Sequence, residues 1–342
     1  MCTHHTSSRT HTRRQSNKSA HERGVGIGYA RTCDMTPKHL VMAVAWGYHE
    51  DIYEVFLGSL RRTGYTGAIK LLSLPGRTSA NATAVAMHWG AEVVPLSNIT
   101  FNRRTGKPAW LSGERFRTYD DLCAGGGFEL CLAADFRDVF FQTNPFHAVR
   151  HMPLADLWLP LESRIIGTCI HNSHMIRRCF GHTALQSISN ETVACSGVIL
   201  GGPRGFAALR ILARLVRRCP YDKMSDQASL NLALYSGMLR RAPGFNPRLR
   251  IETQTNGFGF TNTIGVVKGV EKVAAFERNR MRDGVVLSED GTPSPIVHQY
   301  DRALKSTGPR GVFGRTRTAL RLRAVEEAIG MRADSRWLAL GA

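Results

Sequence analysis

The stretch LAADFRDVFFQTNPF, residues 132–146, decides how the chain is read. An apolar run ends abruptly on Asp135. Arg137 and Asp138 follow, then aromatic residues, Gln142 and an Asn144-Pro145 break. FELCLAAD (128–135) has the length and apolarity of a strand buried on both faces, which puts Asp135 at its carboxyl end. In an open parallel sheet, ligands bind beyond those ends. Two hard carboxylates placed there suit Mg²⁺ or Mn²⁺, and Arg137 can pair with a phosphate or hold one of the acids. On its own, D-x-R-D is more often an ion-paired strand end than a metal site, so its weight depends on its surroundings.

Upstream, HLVMAVAW (39–46), GAIKLLSL (67–74) and AEVVPL (91–96) read as strands. They alternate with helices over Asp51–Arg62, with Ile52, Val55, Phe56, Ser59 and Leu60 on one face, and over 81–90, ending at Gly90. That alternation predicts a parallel sheet with covering helices. After a polar loop (97–113), GERFRTYDDLCA reads as a further helix. Downstream, SRIIGTC (163–169) and ETVACSGVILGG (191–202) read as strands and His174–Phe180 as a helix. PRGFAALRILARLVRRC (203–219) and SDQASLNLALYSG (225–237) read as helices, the second with Ser225 as N-cap. LRIETQT, TIGVVKG, DGVVLSED and SPIVHQY follow as strands, with a turn at Asp290-Gly291.

The chain has 342 residues, of which 43% are hydrophobic and 21% charged, enough for a sizeable core. Its net charge of +18 favours anionic partners without choosing among them. No run is long and apolar enough to span a membrane. Residues 1–36 lack an apolar core and read as a disordered basic tail rather than a secretory signal. Residues 37–305 read as the folded domain, and 306–342 as a basic tail with one helix. The eight Cys show no C-x-x-C and no zinc spacing, and buried free thiols, Cys131 and Cys195 among them, are the simpler reading; one or two disulfides stay open. Sequons stand at Asn17, Asn81, Asn98 and Asn190. The pairs His147/His151 and His171/His174 have chelating spacing but no acid placed nearby, and read as surface residues.

Three other segments add to 132–146. Cys195-Ser196-Gly197, followed by Gly201-Gly202, offers small residues where a ligand can approach the backbone. Asp226-Gln227 falls in the first turn of a helix. SPIVHQYDR places His298 after a short β run, where a late histidine can complete a metal shell.

In order, D-x-R-D-V-x-F-Q-x-x-P-F, C-S-G-x-x-x-G, D-Q-A-x-x-N and H-Q-Y-D-R resemble the nucleotide-diphospho-sugar glycosyltransferases of the GT-A fold. They are most similar to the eukaryotic group whose acidic motif reads D-x-R-D-V-x-F-Q. The resemblance runs from about Leu40 to Arg302. It implies a Rossmann-like mixed α/β sheet flanked by helices, and transfer of a sugar from a nucleotide-diphosphate donor, a UDP-sugar foremost, to a glycan or glycoprotein hydroxyl. It assigns Mn²⁺ or Mg²⁺ to Asp135, Asp138 and His298. It assigns the sugar or acceptor to Asp226 and Gln227, and the donor to Ala45, Trp46, Arg115, Arg137, Ser196 and Gly197. It also implies the Golgi or secretory pathway, a cytoplasmic enzyme being the alternative. The chain departs from the usual D-x-D at Arg137, and has Asn144 where an acid often precedes Pro-Phe. Two other readings stay open: a basic nucleic-acid-binding protein, although no RNA-binding signature is present, and a catalytically inactive scaffold of the same fold.

Overall fold

A computed structural model describes residues 38–96, 111–219, 224–242, 248–266 and 270–303. Every described residue falls in one compact unit. Both terminal tails, most of the 97–113 loop, Trp110, Cys2, Cys33, Asn17 and Asn98 lie outside the described residues.

The strands in chain order are β1 His39–Val44, β2 Ala68–Ser73, β3 Glu92–Pro95, β4 Leu130–Asp135, β5 Val139–Phe141, β6 Leu157–Ile165 and β7 Thr192–Ala194. They continue with β8 Val198–Gly201, β9 Ile251–Gln254, β10 Thr261–Thr263, β11 Met281–Arg282, β12 Val285–Val286 and β13 Ile296–His298. The main sheet runs β3-β2-β1-β4-β8-β6-β7, with β9 also pairing with β6. β1 to β4 are mutually parallel, as the alternating strands and helices predict. β8 then inserts antiparallel between β4 and β6, so the sheet as a whole is mixed.

Both faces of this sheet are covered, which is why its central strands are apolar throughout. Successive side chains point to opposite faces: Val41 and Ala43 join one core cluster, Leu40 and Met42 the other. β4 divides in the same way, with Leu132 and Ala134 on one side and Cys131 and Ala133 on the other. The helices Leu111–Gly125, Pro203–Arg218 and Ser225–Tyr235 supply much of the second cluster. On the opposite face a helical segment runs through Glu50–Tyr53, a π-helical Glu54–Gly58 and Ser59–Arg62. It buries Tyr53, Leu57 and Glu54 in addition to the predicted stripe. Glu54 accepts the Trp89 indole N–H at 2.9 Å, and Ser59 Oγ accepts the Phe141 N–H at 3.1 Å, tying this helix to β5.

A second, three-stranded sheet runs β10-β13-β5. Its register opposes His298 to Val139 and Thr263 to His298. A residue near the end of the described chain is thereby set next to Asp138. Gln142 holds the arrangement from outside: its amide donates to the Val286 and Ser294 carbonyls and accepts the Val286 N–H, each at 2.8 Å.

Several elements differ from the sequence expectation. The strand expected at 163–169 is β6, which begins at Leu157. Pro160 argues against a central strand, but it lacks only a donor, and its carbonyl accepts the Cys195 N–H at 2.9 Å. The run 191–202 is two strands rather than one, broken at Cys195–Gly197, where the Gly197 carbonyl turns to accept the Asp135 N–H at 2.6 Å. The N-cap of Ser225–Tyr235 is Met224, at φ 60°, and Ser225 is buried against Ser112 at 3.1 Å. TIGVVKG leaves β10 into a 3₁₀ turn, Ile264–Val266, and a helix, Val270–Arg280, follows where none was predicted. DGVVLSED contributes only β12, paired with β11, although the turn at Asp290-Gly291 forms, with Gly291 at φ 80°.

Of the two readings of the cysteines, the disulfide one holds for four of them, Cys123 bonded to Cys131 and Cys179 to Cys219, so Cys131 is not the free thiol expected. Among the described residues, Cys169 and Cys195 are free and buried.

Candidate metal centre and substrate cleft

Asp135 ends β4, Asp138 precedes β5 across a short bend, and His298 ends β13. One donor atom from each lies within 4.8 Å of the other two, the only such three-residue group among the described residues. His298 Nε2 is 3.7 Å from Asp135 Oδ2 and 3.8 Å from Asp138 Oδ1. That nitrogen is buried and makes no hydrogen bond. The other ring nitrogen, Nδ1, faces Cys195 Sγ at 3.4 Å and Thr263 Oγ1 at 3.5 Å.

Gly197 makes the approach possible. A Cβ on that residue would sit 2.6 Å from Asp135 Oδ2 and 2.7 Å from His298 Nε2, so any larger residue would fill the space between them.

Arg115 joins the metal group to the sugar-side acid. Its Nη1 donates to Asp135 Oδ1 at 2.8 Å, while Nη2 donates to Asp226 Oδ2 at 2.7 Å and to the Ser196 carbonyl at 3.0 Å. The resemblance assigns Arg115 to the donor; it lines the smaller cavity, and its terminal nitrogens bridge the two carboxylates. Burial disfavours an ionised Asp135, but Arg115 and His298 outweigh it and hold the carboxyl well below the usual range. Burial raises Asp226, against the pull of Arg115. Asp138 is likewise raised by burial, opposed by His298 and reinforced by Asp135. For His298, burial works against the charge, but Cys195 and the two carboxylates raise the imidazole well above its ordinary value.

Two cavities meet at this group. The smaller, about 300 Å³, is lined by Trp46, Tyr48, Arg115, Arg137 and Asp138, among others. The larger, about 720 Å³, is lined by Glu162, Asn172, Ser196, Asp226, Gln227 and His298, among others. Asp135 and Arg302 line both. Gln227 reaches across the floor of the larger one, donating to Glu162 Oε1 and Asn172 Oδ1, each at 3.2 Å. Ser196 Oγ donates to Asp226 Oδ2 at 3.4 Å.

Trp46 lines the smaller cavity, whereas Ala45 is fully buried and does not. The two-residue period of an extended chain puts Val44 and Trp46 on one side and Ala45 on the other, where its carbonyl accepts the Tyr53 hydroxyl at 3.0 Å. Arg137 is half exposed at the cavity wall, with Nη2 3.4 Å from Asp138 and Nε 3.4 Å from Asp301. Asp138, not the residue at 137, therefore completes the acid pair. Asn144 lies apart from the group and caps the helix Pro145–Val149, accepting the Phe146 N–H at 3.1 Å. His147, His151, His171 and His174 are exposed, the last two on the wall of the larger cavity.

Residues not singled out from the sequence are Glu162, Asn172, Thr263 and Arg302. Glu162 lies on the strand that Pro160 disguised. Arg302 closes the H-Q-Y-D-R motif and could have been found there.

No protein-family model and no curated protein sequence matches this chain. Among solved structures, the apo bifunctional glycosyltransferase WbbM aligns with a TM-score of 0.50 at 11% identity, over 88% of this chain and 50% of that one. An active-site mutant of LgtC aligns at 0.46 and 17%, over 86% and 95%. The apo glycosyltransferase GlyE of Streptococcus pneumoniae TIGR4 aligns at 0.46 and 17%, over 86% and 60%. At these identities the likeness concerns the fold. The chain has the mixed α/β GT-A architecture, and these structural neighbours are glycosyltransferases.

Proposed function

We propose that the protein is a glycosyltransferase that moves a sugar from a nucleotide-diphosphate donor, a UDP-sugar, to a hydroxyl of a glycan or glycoprotein acceptor. The observation that carries this reading is the convergence of Asp135, Asp138 and His298 where two cavities join. The donor set of two carboxylate oxygens and an imidazole nitrogen suits Mn²⁺ or Mg²⁺, and the buried, unpartnered Nε2 of His298 is the atom such an ion would engage. When bound, the cation supplies positive charge against the departing diphosphate.

The protein's own side chains take the remaining roles. Trp46 and Tyr48 flank the smaller cavity as apolar walls for a base, and Arg137 and Arg302 stand where phosphate oxygens would leave it. Ser196 and Gly197 expose backbone to the sugar. Gln227, anchored by Glu162 and Asn172, presents a fixed amide to the larger cavity. Asp226 Oδ2 is already engaged by Arg115, which favours stabilising positive charge on the sugar carbon over accepting a proton. The two disulfides and the exposed sequons at Asn81 and Asn190 support an oxidising secretory compartment such as the Golgi lumen.

A thermal-shift panel of nucleotide sugars with and without Mn²⁺ tests the reading. Metal-dependent stabilisation by one donor, lost in Asp138→Ala, is the expected result. Absence of any shift with the whole panel would refute it.

A further inference from the structure

His298 can offer Nε2 to a cation only if that nitrogen carries a lone pair, which places the ring proton on Nδ1. Nδ1–H then needs an acceptor. Its nearest polar neighbour is Cys195 Sγ at 3.4 Å, with Thr263 Oγ1 at 3.5 Å. The same sulfur accepts the Gly197 N–H, also at 3.4 Å. Cys195 is fully buried and sits in the break between β7 and β8. These separations suit sulfur, whose radius exceeds that of oxygen; an N–H···O bond prefers about 2.9–3.0 Å.

We infer that Cys195 is a positioning residue for His298. Its thiol sulfur receives Nδ1–H, which fixes the ring orientation and the tautomer that turns the Nε2 lone pair toward Asp135 and Asp138. The inference rests on the metal-dependent reading above. Through its bond to Gly197, the sulfur also couples the imidazole to the one residue whose lack of a side chain keeps the site open. Cys195 lines neither cavity, so its effect on a bound cation is indirect, through the residues it holds. Partners of this kind typically alter metal affinity 10- to 100-fold, that is by about one to two decades.

The test compares full-length wild type, Cys195→Ser and Cys195→Ala, by Mn²⁺ titration followed by electron paramagnetic resonance, with thermal unfolding of the metal-free proteins alongside. Alanine removes the acceptor, and serine keeps one at a poorer distance. The expected order of Mn²⁺ affinity is wild type, then serine, then alanine, with alanine weaker than wild type by about 10-fold or more. A residue that merely fills space would lower the stability of the metal-free protein in step with affinity, whereas loss of the Nδ1–H acceptor lowers affinity in a metal-free protein that unfolds near the wild-type temperature. Wild-type affinity in the alanine variant, or alanine binding at least as tightly as serine, overturns the role of Cys195 while leaving the metal centre intact. Wild type that binds no Mn²⁺ overturns both together. Should alanine fail to fold, the serine variant still decides: affinity equal to wild type excludes a sulfur-specific contact.

Discussion

A Cβ built on Gly197 would fall 2.7 Å from Nε2 of His298, the atom that faces the two aspartates. The atoms it would meet belong to the side chains of Asp135 and His298 rather than to backbone, so a methyl group displaces the donors before it disturbs the strands. Gly197→Ala is therefore expected to keep its secondary structure and most of its thermal stability. It should weaken Mn²⁺ binding by about 10-fold or more, the scale seen when metal ligands are disoriented. Undiminished Mn²⁺ affinity in a folded Gly197→Ala protein would show that the three donors do not act at that point.

The disulfides differ in the length of chain they close, with sequence separations of 8 for Cys123–Cys131 and 40 for Cys179–Cys219. Loop-closure entropy makes the longer link the more stabilising, about 4 kcal/mol against about 2.5 kcal/mol. Cys179 lies on Ile170–Phe180 and Cys219 just after Pro203–Arg218, so this link joins a wall of the larger cavity to the main core. Peptide mapping without reductant should recover both linked pairs. Cys179→Ala/Cys219→Ala should lose more stability in urea than Cys123→Ala/Cys131→Ala; equal losses would mean that loop length does not govern them.

Much of the site can be read in the sequence because its residues mark the ends of apolar runs. Asp135 is legible since a strand buried on both faces cannot continue through a carboxylate, and Gly197 because a strand interrupted by small residues leaves room for something else. His298 is legible only as a type of residue in the right order; its position depends on pairing with β5, a contact remote in sequence. The Arg115 bridge is hidden for the same reason, since its partners, Asp135 and Asp226, lie on other elements. Local rules misled elsewhere. Pro160 masks the first half of β6, whose partners need only its carbonyl. The cysteine pairs follow three-dimensional proximity that spacing does not encode.

His39 opens β1 and stacks on Phe146, with ring centroids 4.3 Å apart and planes 12° from parallel. Burial lowers its pKa from 6.5, and Arg150 and His147 add to the effect against Glu129. The folded state thus disfavours the protonated imidazole, and the unfolded chain binds the proton more readily. This contribution to stability is full above the unfolded value of 6.5 and is lost as pH falls from there through the lower folded value. His39→Gln should lose less stability than wild type when urea unfolding is compared on the two sides of that window. Parallel losses in the two proteins would show that His39 does not titrate with folding.

Arg115 places one guanidinium between two carboxylates that would otherwise repel each other, reaching Asp135 with Nη1 and Asp226 with Nη2. Lysine carries a single compact charge and cannot span both, so Arg115→Lys is not conservative here. Arg115→Met keeps the packing on Phe116, whose ring lies 5.0 Å from the guanidinium, but takes the guanidinium from both acids, leaving Asp135 with His298 and Asp226 with the Ser196 hydroxyl. Breaking a fully buried pair costs about 3–5 kcal/mol. The loss here should lie at or below the lower end, because the Asp135 side chain remains 36% exposed and is partly screened by water. Adding Asp226→Asn to Arg115→Met removes one of the stranded charges and should restore part of that stability, a coupling that a double-mutant cycle measures directly. An Arg115→Met protein as stable as wild type, or a cycle with no coupling, would mean that the bridge does not hold Asp226 in place.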